Sequence, residues 1–149
     1  MLAARSAERL ETLARELGGD ERAVAVRCDV AEWADQAALV QNALDAFGRV
    51  DVAFANAGFG GPRGFERHEP DEMRSMVLTN VLGAAYTIRA TMPQLREHAG
   101  HLVLTSSVAG RRPLPGSLYS ATKHAVTAMG EALRQDLTRI EITEIKHGS

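Results

Sequence analysis

Short apolar runs alternate with longer helical patterns along the chain, and that alternation leaves few folds open. Residues 23–28 read Ala-Val-Ala-Val-Arg-Cys and residues 50–55 Val-Asp-Val-Ala-Phe-Ala. Residues 101–105 read His-Leu-Val-Leu-Thr, and 141–146 form a last short run around two isoleucines. Each has the length and the β-branched content of a strand. Before the first run, Ser6 stands where a helix cap belongs; Leu10, Leu13, Ala14 and Leu17 follow on one helical face, and Gly18-Gly19 stops it. Trp33–Phe47 is a second helical pattern, with Ala37, Val40, Leu44 and Phe47 near one stripe and Gly48 as stop. Residues 59–70 are a Gly/Pro-rich loop. Residues 71–98 form a long helix, in which Pro93 predicts a kink, and 117–138 form another. Strands separated by helices of this length pair in parallel through crossovers. The expectation is a three-layer α/β domain with ligands beyond the carboxyl ends of the strands.

Bulk properties exclude several classes. At 149 residues the chain is one domain's worth. Its net charge of −2, with no block of like charge, gives no electrostatic reason to expect nucleic acid or an anionic membrane. A single cysteine, Cys28, excludes an internal disulfide and a Cys-rich zinc site. No apolar run approaches the roughly 20 residues of a membrane helix, and the start lacks a signal-peptide layout. The cytoplasm is the default location. His98 and His101 do not have metal-ligand spacing, and no metal site is expected. Trp33 reads as packing.

The chemistry concentrates at strand ends. Tyr119 and Lys123 stand at i and i+4 on a helix, one turn apart on one face. A free phenol titrates near ~10 and is a poor base at neutral pH. A neighbouring ammonium favours phenolate, which makes Tyr119 a candidate proton donor and acceptor. Ser107 ends a strand twelve residues earlier, close enough in sequence to fold back toward the tyrosine. Ser106 reads as structural. Asn56-Ala57-Gly58 ends another strand, Asp29-Val30 a third, and Asn80 lies inside the long helix.

Tyr119-x-x-x-Lys123, Ser107 before Val-Ala-Gly, Asn56-Ala-Gly58, Asn80 and Cys28-Asp29-Val30 together resemble the motifs of short-chain dehydrogenases/reductases, in that family's order. The resemblance covers nearly the whole chain. It implies a Rossmann-type fold and hydride transfer between a nicotinamide and a carbonyl or alcohol carbon. Tyr119 would exchange the proton. Lys123 would lower its pKa and hold the nicotinamide ribose, Ser107 would orient the substrate, and Asn80 would hold a water in the proton relay. Asp29 would meet the adenine with Val30 beside it, and Asn56, Ala57 and Gly58 would line the cofactor cleft. The opening Ala3-Ala4-Arg5-Ser6 resembles the end of the family's second strand; the acidic residue the family carries there is absent, Arg5 is offered instead, and a guanidinium suits a 2′-phosphate. NADP is expected, with NAD as the alternative. A homo-oligomer through the two long helices is implied as well.

Three departures matter. The family's Thr-Gly-x-x-x-Gly-x-Gly phosphate turn is absent, as are its first strands, so a partial Rossmann-type domain is expected over 1–149 with weak dinucleotide binding. In the family's strand order the missing strands lie between 23–28 and 50–55. The run 23–28 is therefore expected to lack neighbours unless it slides beside 50–55. Ala55 replaces an asparagine, and Lys146-His-Gly148 stands where the family has a Pro-Gly turn. A second reading follows from these gaps: an inactive fragment or interaction module unable to hold the dinucleotide.

Overall fold

The computed structural model describes residues 1–19, 21–137 and 139–147. Strand β1 (Leu2–Ala4) leads into helix α1 (Ala7–Glu16), β2 (Ala25–Arg27) and α2 (Trp33–Phe47). Next come β3 (Val52–Ala55) and α3 (Pro70–Val77). α3 passes through a π-helical turn, Leu78–Leu82, into α4 (Gly83–His98). β4 (His101–Ser107), α5 (Leu118–Asp136) and β5 (Glu141–His147) follow. The expected end of the last helix at Thr138, and Gly148, lie outside the described residues. All strand pairs are parallel, and the fold is the expected Rossmann-like α/β arrangement.

The strands form two sheets, β1-β2 and β3-β4-β5. This corrects the expectation for residues 23–28. They neither stand alone nor slide beside β3; they pair with β1 from Leu2↔Ala25 to Ala4↔Arg27. The Cys28 N–H adds a bond of 3.0 Å to the Ala4 carbonyl. The reason is the demand for partners: a strand's backbone groups need bonding partners, and Leu2–Ala4 is extended chain able to supply them.

β4 is the middle strand of the larger sheet, and its side chains alternate as the pleat requires. Leu102, Leu104 and Ser106 share one face, and none has exposed surface. Leu95 of α4 and Val126 of α5 join them, with Ala53, Ala84 and Ile142 around them. The apolar row of β4 thus ends in a serine at the carboxyl end of the strand, where the candidate site lies.

The expected helix stripes are only partly covered. Leu10 and Ala14 of α1 are buried, but Leu13 and Leu17 stay exposed. On α2 the buried residues are Gln36 and Ala43; Ala37 and Phe47 are exposed. The cause is the small size of the β1-β2 sheet, whose three-residue strands cover little of a helix face. Ser6 does occupy the N-cap of α1, but its hydroxyl makes no capping bond. In contrast Ser117 caps α5, its Oγ accepting the Ser120 N–H at 3.1 Å. Pro93 lies within α4, which continues to His98. A departure from α-helical bonding also falls in the π turn, which holds Asn80.

Candidate active site

Three elements meet at the carboxyl end of β4. Lys123, one turn into α5, extends its ammonium to the Thr105 carbonyl at 2.7 Å. The Ser106 hydroxyl lies 3.2 Å from the Lys123 carbonyl and 2.7 Å from the Thr127 hydroxyl. Strand and helix are therefore tied at both ends of the same lysine. Ser106 is spent on this tie, in keeping with a structural role. Ser107 follows it, is buried, and accepts the Ala109 N–H at 3.1 Å, capping the short 3-10 turn Val108–Gly110.

That turn can approach α5 only because residue 110 is glycine. A Cβ there would lie 2.6 Å from Ser106 Oγ and 2.7 Å from the Lys123 carbonyl oxygen. Gly110→Ala is expected to cost roughly 1–3 kcal/mol, since overpacking must push backbone against backbone. Urea unfolding measures it, and a midpoint equal to the parent's would show that the turn moves freely off α5.

Tyr119 lies half-buried at the start of α5, with the Lys123 Nζ 5.7 Å from its ring centroid. The helical spacing alone brings these two groups onto one face. Burial lowers the Lys123 ammonium below its ordinary 10.5, because an enclosed site disfavours the charged form. The loop after β3 closes the other side. A Cβ on Gly60 would touch the Tyr119 ring at 3.6 Å. One on Gly58 would lie 3.1 Å from Asn80 Oδ1 and 3.3 Å from Lys123 Nζ. Gly58 is thus the point where the asparagine of the π turn and the lysine of α5 converge.

Asn80 is 1% exposed, and its amide clamps the loop like a strand partner. Oδ1 accepts the Phe59 N–H at 3.0 Å, and Nδ2 donates to the Phe59 carbonyl at 2.8 Å. The remaining Nδ2 hydrogen goes to the Thr122 hydroxyl at 3.0 Å. Both amide hydrogens are spoken for, so a water here would have to donate to Oδ1.

Of the residues expected to meet the cofactor, those other than Tyr119 and Lys123 gather at a different place, a cleft of about 400 Å³ between the two sheets. Arg5, directly after β1, stands on one wall; Asn56, Ala57 and Gly58, directly after β3, stand on the other. Asp29 and Val30 follow β2 on the first wall. The structure brings these six together, while Ser6 is exposed outside the cleft. Asn56 Oδ1 accepts the Thr105 hydroxyl at 2.9 Å, joining the cleft to the β4 end. One Asp29 oxygen accepts the Ala31 N–H at 3.0 Å, so this carboxylate also shapes the entry to α2.

Two buried polar residues escaped the sequence reading. Gln36, 1% exposed, donates from its amide toward the Val30 and Gly83 carbonyls, both at 3.3 Å, and the Thr87 hydroxyl at 2.9 Å. It fixes α2 and Val30 against α4 on the cleft floor. Thr122, 2% exposed, is the other. The only signal for Gln36 is a polar residue one step off an apolar stripe. For Thr122 it is a place inside the Tyr-x-x-x-Lys spacing. Trp33 packs edge-on against Tyr86 with Arg89 over its face. Among the described residues no group of His, Cys, Asp and Glu converges as a metal site would require. No helix among them is long and apolar enough to cross a membrane.

Comparison with known proteins agrees with this geometry. The sequence matches the short chain dehydrogenase family over residues 1–148. It is 37% identical to an oxidoreductase of Staphylococcus saprophyticus across 91% of this chain and 56% of the relative. The backbone is similar to an alcohol dehydrogenase of the archaeon Thermococcus sibiricus complexed with 5-hydroxy-NADP. The TM-score is 0.93 at 29% identity, covering 99% of this chain and 64% of that one. A short-chain dehydrogenase/reductase of Burkholderia phymatum in complex with NAD gives a TM-score of 0.89 at 30% identity, over 99% and 55%. The chain spans a little over half to about two thirds of the length of these proteins. By sequence match and by backbone alike, the chain belongs to the short-chain dehydrogenase/reductase family of oxidoreductases.

Proposed function

We propose that the protein transfers a hydride between a nicotinamide dinucleotide and a carbonyl or alcohol carbon. The observation that carries this reading is the convergence of Asn80 and Lys123 at Gly58 and of Tyr119 at Gly60, beside the strand ends. The residues suit the two ends of such a cofactor. Gly58 lets Asn80 and Lys123 come close to the loop backbone, and Lys123 has three donors, of which Thr105 takes one. The remaining two suit the hydroxyls of a ribose. On the facing wall of the cleft Arg5 and Asp29 suit the adenosine half. The 149 residues hold no Thr-Gly-x-x-x-Gly-x-Gly turn for the phosphates between.

When bound, the nicotinamide supplies or takes up the hydride. Tyr119 gives the proton to the substrate oxygen in reduction and takes it in oxidation. Lys123 holds positive charge beside the phenol. Ser107 orients the substrate oxygen. In the same reading copies of the chain pair through α4 and α5. The inactive-module reading has less support, since the relatives reported above are oxidoreductases and every catalytic position is occupied by the family's residue.

The test is an assay of a chimera that places a glycine-rich phosphate turn of the family ahead of Met1, with NADPH and 2,3-butanedione as probe. NADPH is expected as the preferred donor because Arg5 replaces the acidic residue that would meet the ribose hydroxyls of NAD, and a guanidinium suits a 2′-phosphate. Arg5→Asp should erase or reverse that preference by replacing attraction with repulsion. A parent that prefers NADH outright would show Arg5 to be a solvated surface charge.

A further inference from the structure

We propose that Thr122 is a positioning residue, which locks the tyrosine-bearing turn of α5 to the loop after β3. The inference rests on the function proposed above but stands on separate contacts. A threonine hydroxyl has one hydrogen to give. Thr122 gives it to the Tyr119 carbonyl at 2.8 Å. Its lone pairs then face Asn80, whose Nδ2 donates to it at 3.0 Å. Asn80 in turn holds both backbone groups of Phe59. An unbroken chain of bonds therefore runs from Phe59, through the π turn, to the backbone of Tyr119.

The arrangement does more than stabilise a helix. A back-bond from Thr to the carbonyl a turn earlier is common and local. Thr91 makes one of the same kind to Thr87 at 2.8 Å, away from the strand ends. Thr122 differs in accepting a second bond from another element. Phe59 lies between Gly58, against which Lys123 packs, and Gly60, against which the Tyr119 ring packs. Fixing Phe59 relative to Tyr119 sets the space between the phenol, the ammonium and the cleft. With valine at 122, one Asn80 N–H would be left buried without an acceptor. The amide would then turn or shift and release Phe59.

Amide hydrogen exchange on the chain itself is the test. Thr122→Val should speed exchange at the Phe59 N–H on the order of tenfold, while Leu102 and Leu104 of β4 keep their protection. Thr122→Ser, which restores the hydroxyl, should return Phe59 to within about threefold of the parent. Thr91→Val should lower the melting temperature and leave Phe59 unchanged. In the phosphate-turn chimera, with 2,3-butanedione and NADPH, Thr122→Val should lower kcat on the order of tenfold with KM within about twofold. Unchanged exchange at Phe59, or serine failing to rescue it, overturns the tether. Faster exchange with unchanged kcat overturns the positioning role. A parent chimera without turnover overturns the proposed function, and with it the catalytic part of this inference; the exchange result then still decides the tether.

Discussion

Tyr119→Phe is expected to abolish turnover in the phosphate-turn chimera, by about 10² to 10⁴-fold, while dinucleotide affinity stays within about twofold. Phenylalanine keeps the ring that packs on Gly60 and the helix start, and removes only the group that exchanges the proton. Packing is therefore a poor explanation for any loss. Turnover within about tenfold of the parent would sink the assignment, because the loss would then fall below the usual range for a general acid or base.

Lys123→Met is expected to lower both turnover and cofactor affinity, since it removes the charge beside the phenol and two donors suited to a ribose. It should also change how stability depends on pH. Burial lowers the folded-state pKa of Lys123 below 10.5. Between that lowered value and 10.5 the unfolded chain holds a proton that the folded chain has shed. Stability from this group therefore rises with pH across the window and is lost as pH falls through the folded value. Methionine removes the rise. Cys28 acts in the opposite direction: burial first, then the Asp35 and Asp29 carboxylates, raise its thiol above 9.0. Its contribution is lost as pH rises through that raised value. Comparing parent and Lys123→Met at each pH cancels the cysteine. Urea midpoints that rise equally in both proteins would show that Lys123 is not the titrating group.

Much of this was legible in the sequence for identifiable reasons. α2 runs over the span that its apolar spacing and Gly48 indicate, because Gly48 adopts the left-handed cap with φ of 77°. β3 and β4 were visible as short runs rich in apolar residues. The pairing of Tyr119 with Lys123 followed from helical spacing alone. β1 was legible only through the family resemblance of residues 3–6 to a strand end: three residues carry no periodicity, and pairing with β2 makes it a strand. The stripes on α1 and α2 misled, because an apolar face is buried only where something covers it, and Leu13, Leu17 and Phe47 have little above them. The π turn around Asn80 left no mark in composition. It depends on the tertiary demand that one asparagine reach Phe59 and Thr122 together. Gln36 was hidden for the same reason, since its three acceptors come from two segments distant in sequence from each other.

In the proposed function, Tyr119, Lys123 and Ser107 form the site of hydride exchange at the carboxyl end of β4. Deuteride transfer tests it most directly. The chimera is supplied with NADPH deuterated at the nicotinamide C4, in each of its two stereochemical forms, and 2,3-butanedione. Mass spectrometry then follows the label. The account predicts deuterium on the former carbonyl carbon from one of the two forms, and none above background in Tyr119→Phe. A reduced product free of deuterium from both forms, or label transferred equally well in Tyr119→Phe, would contradict it.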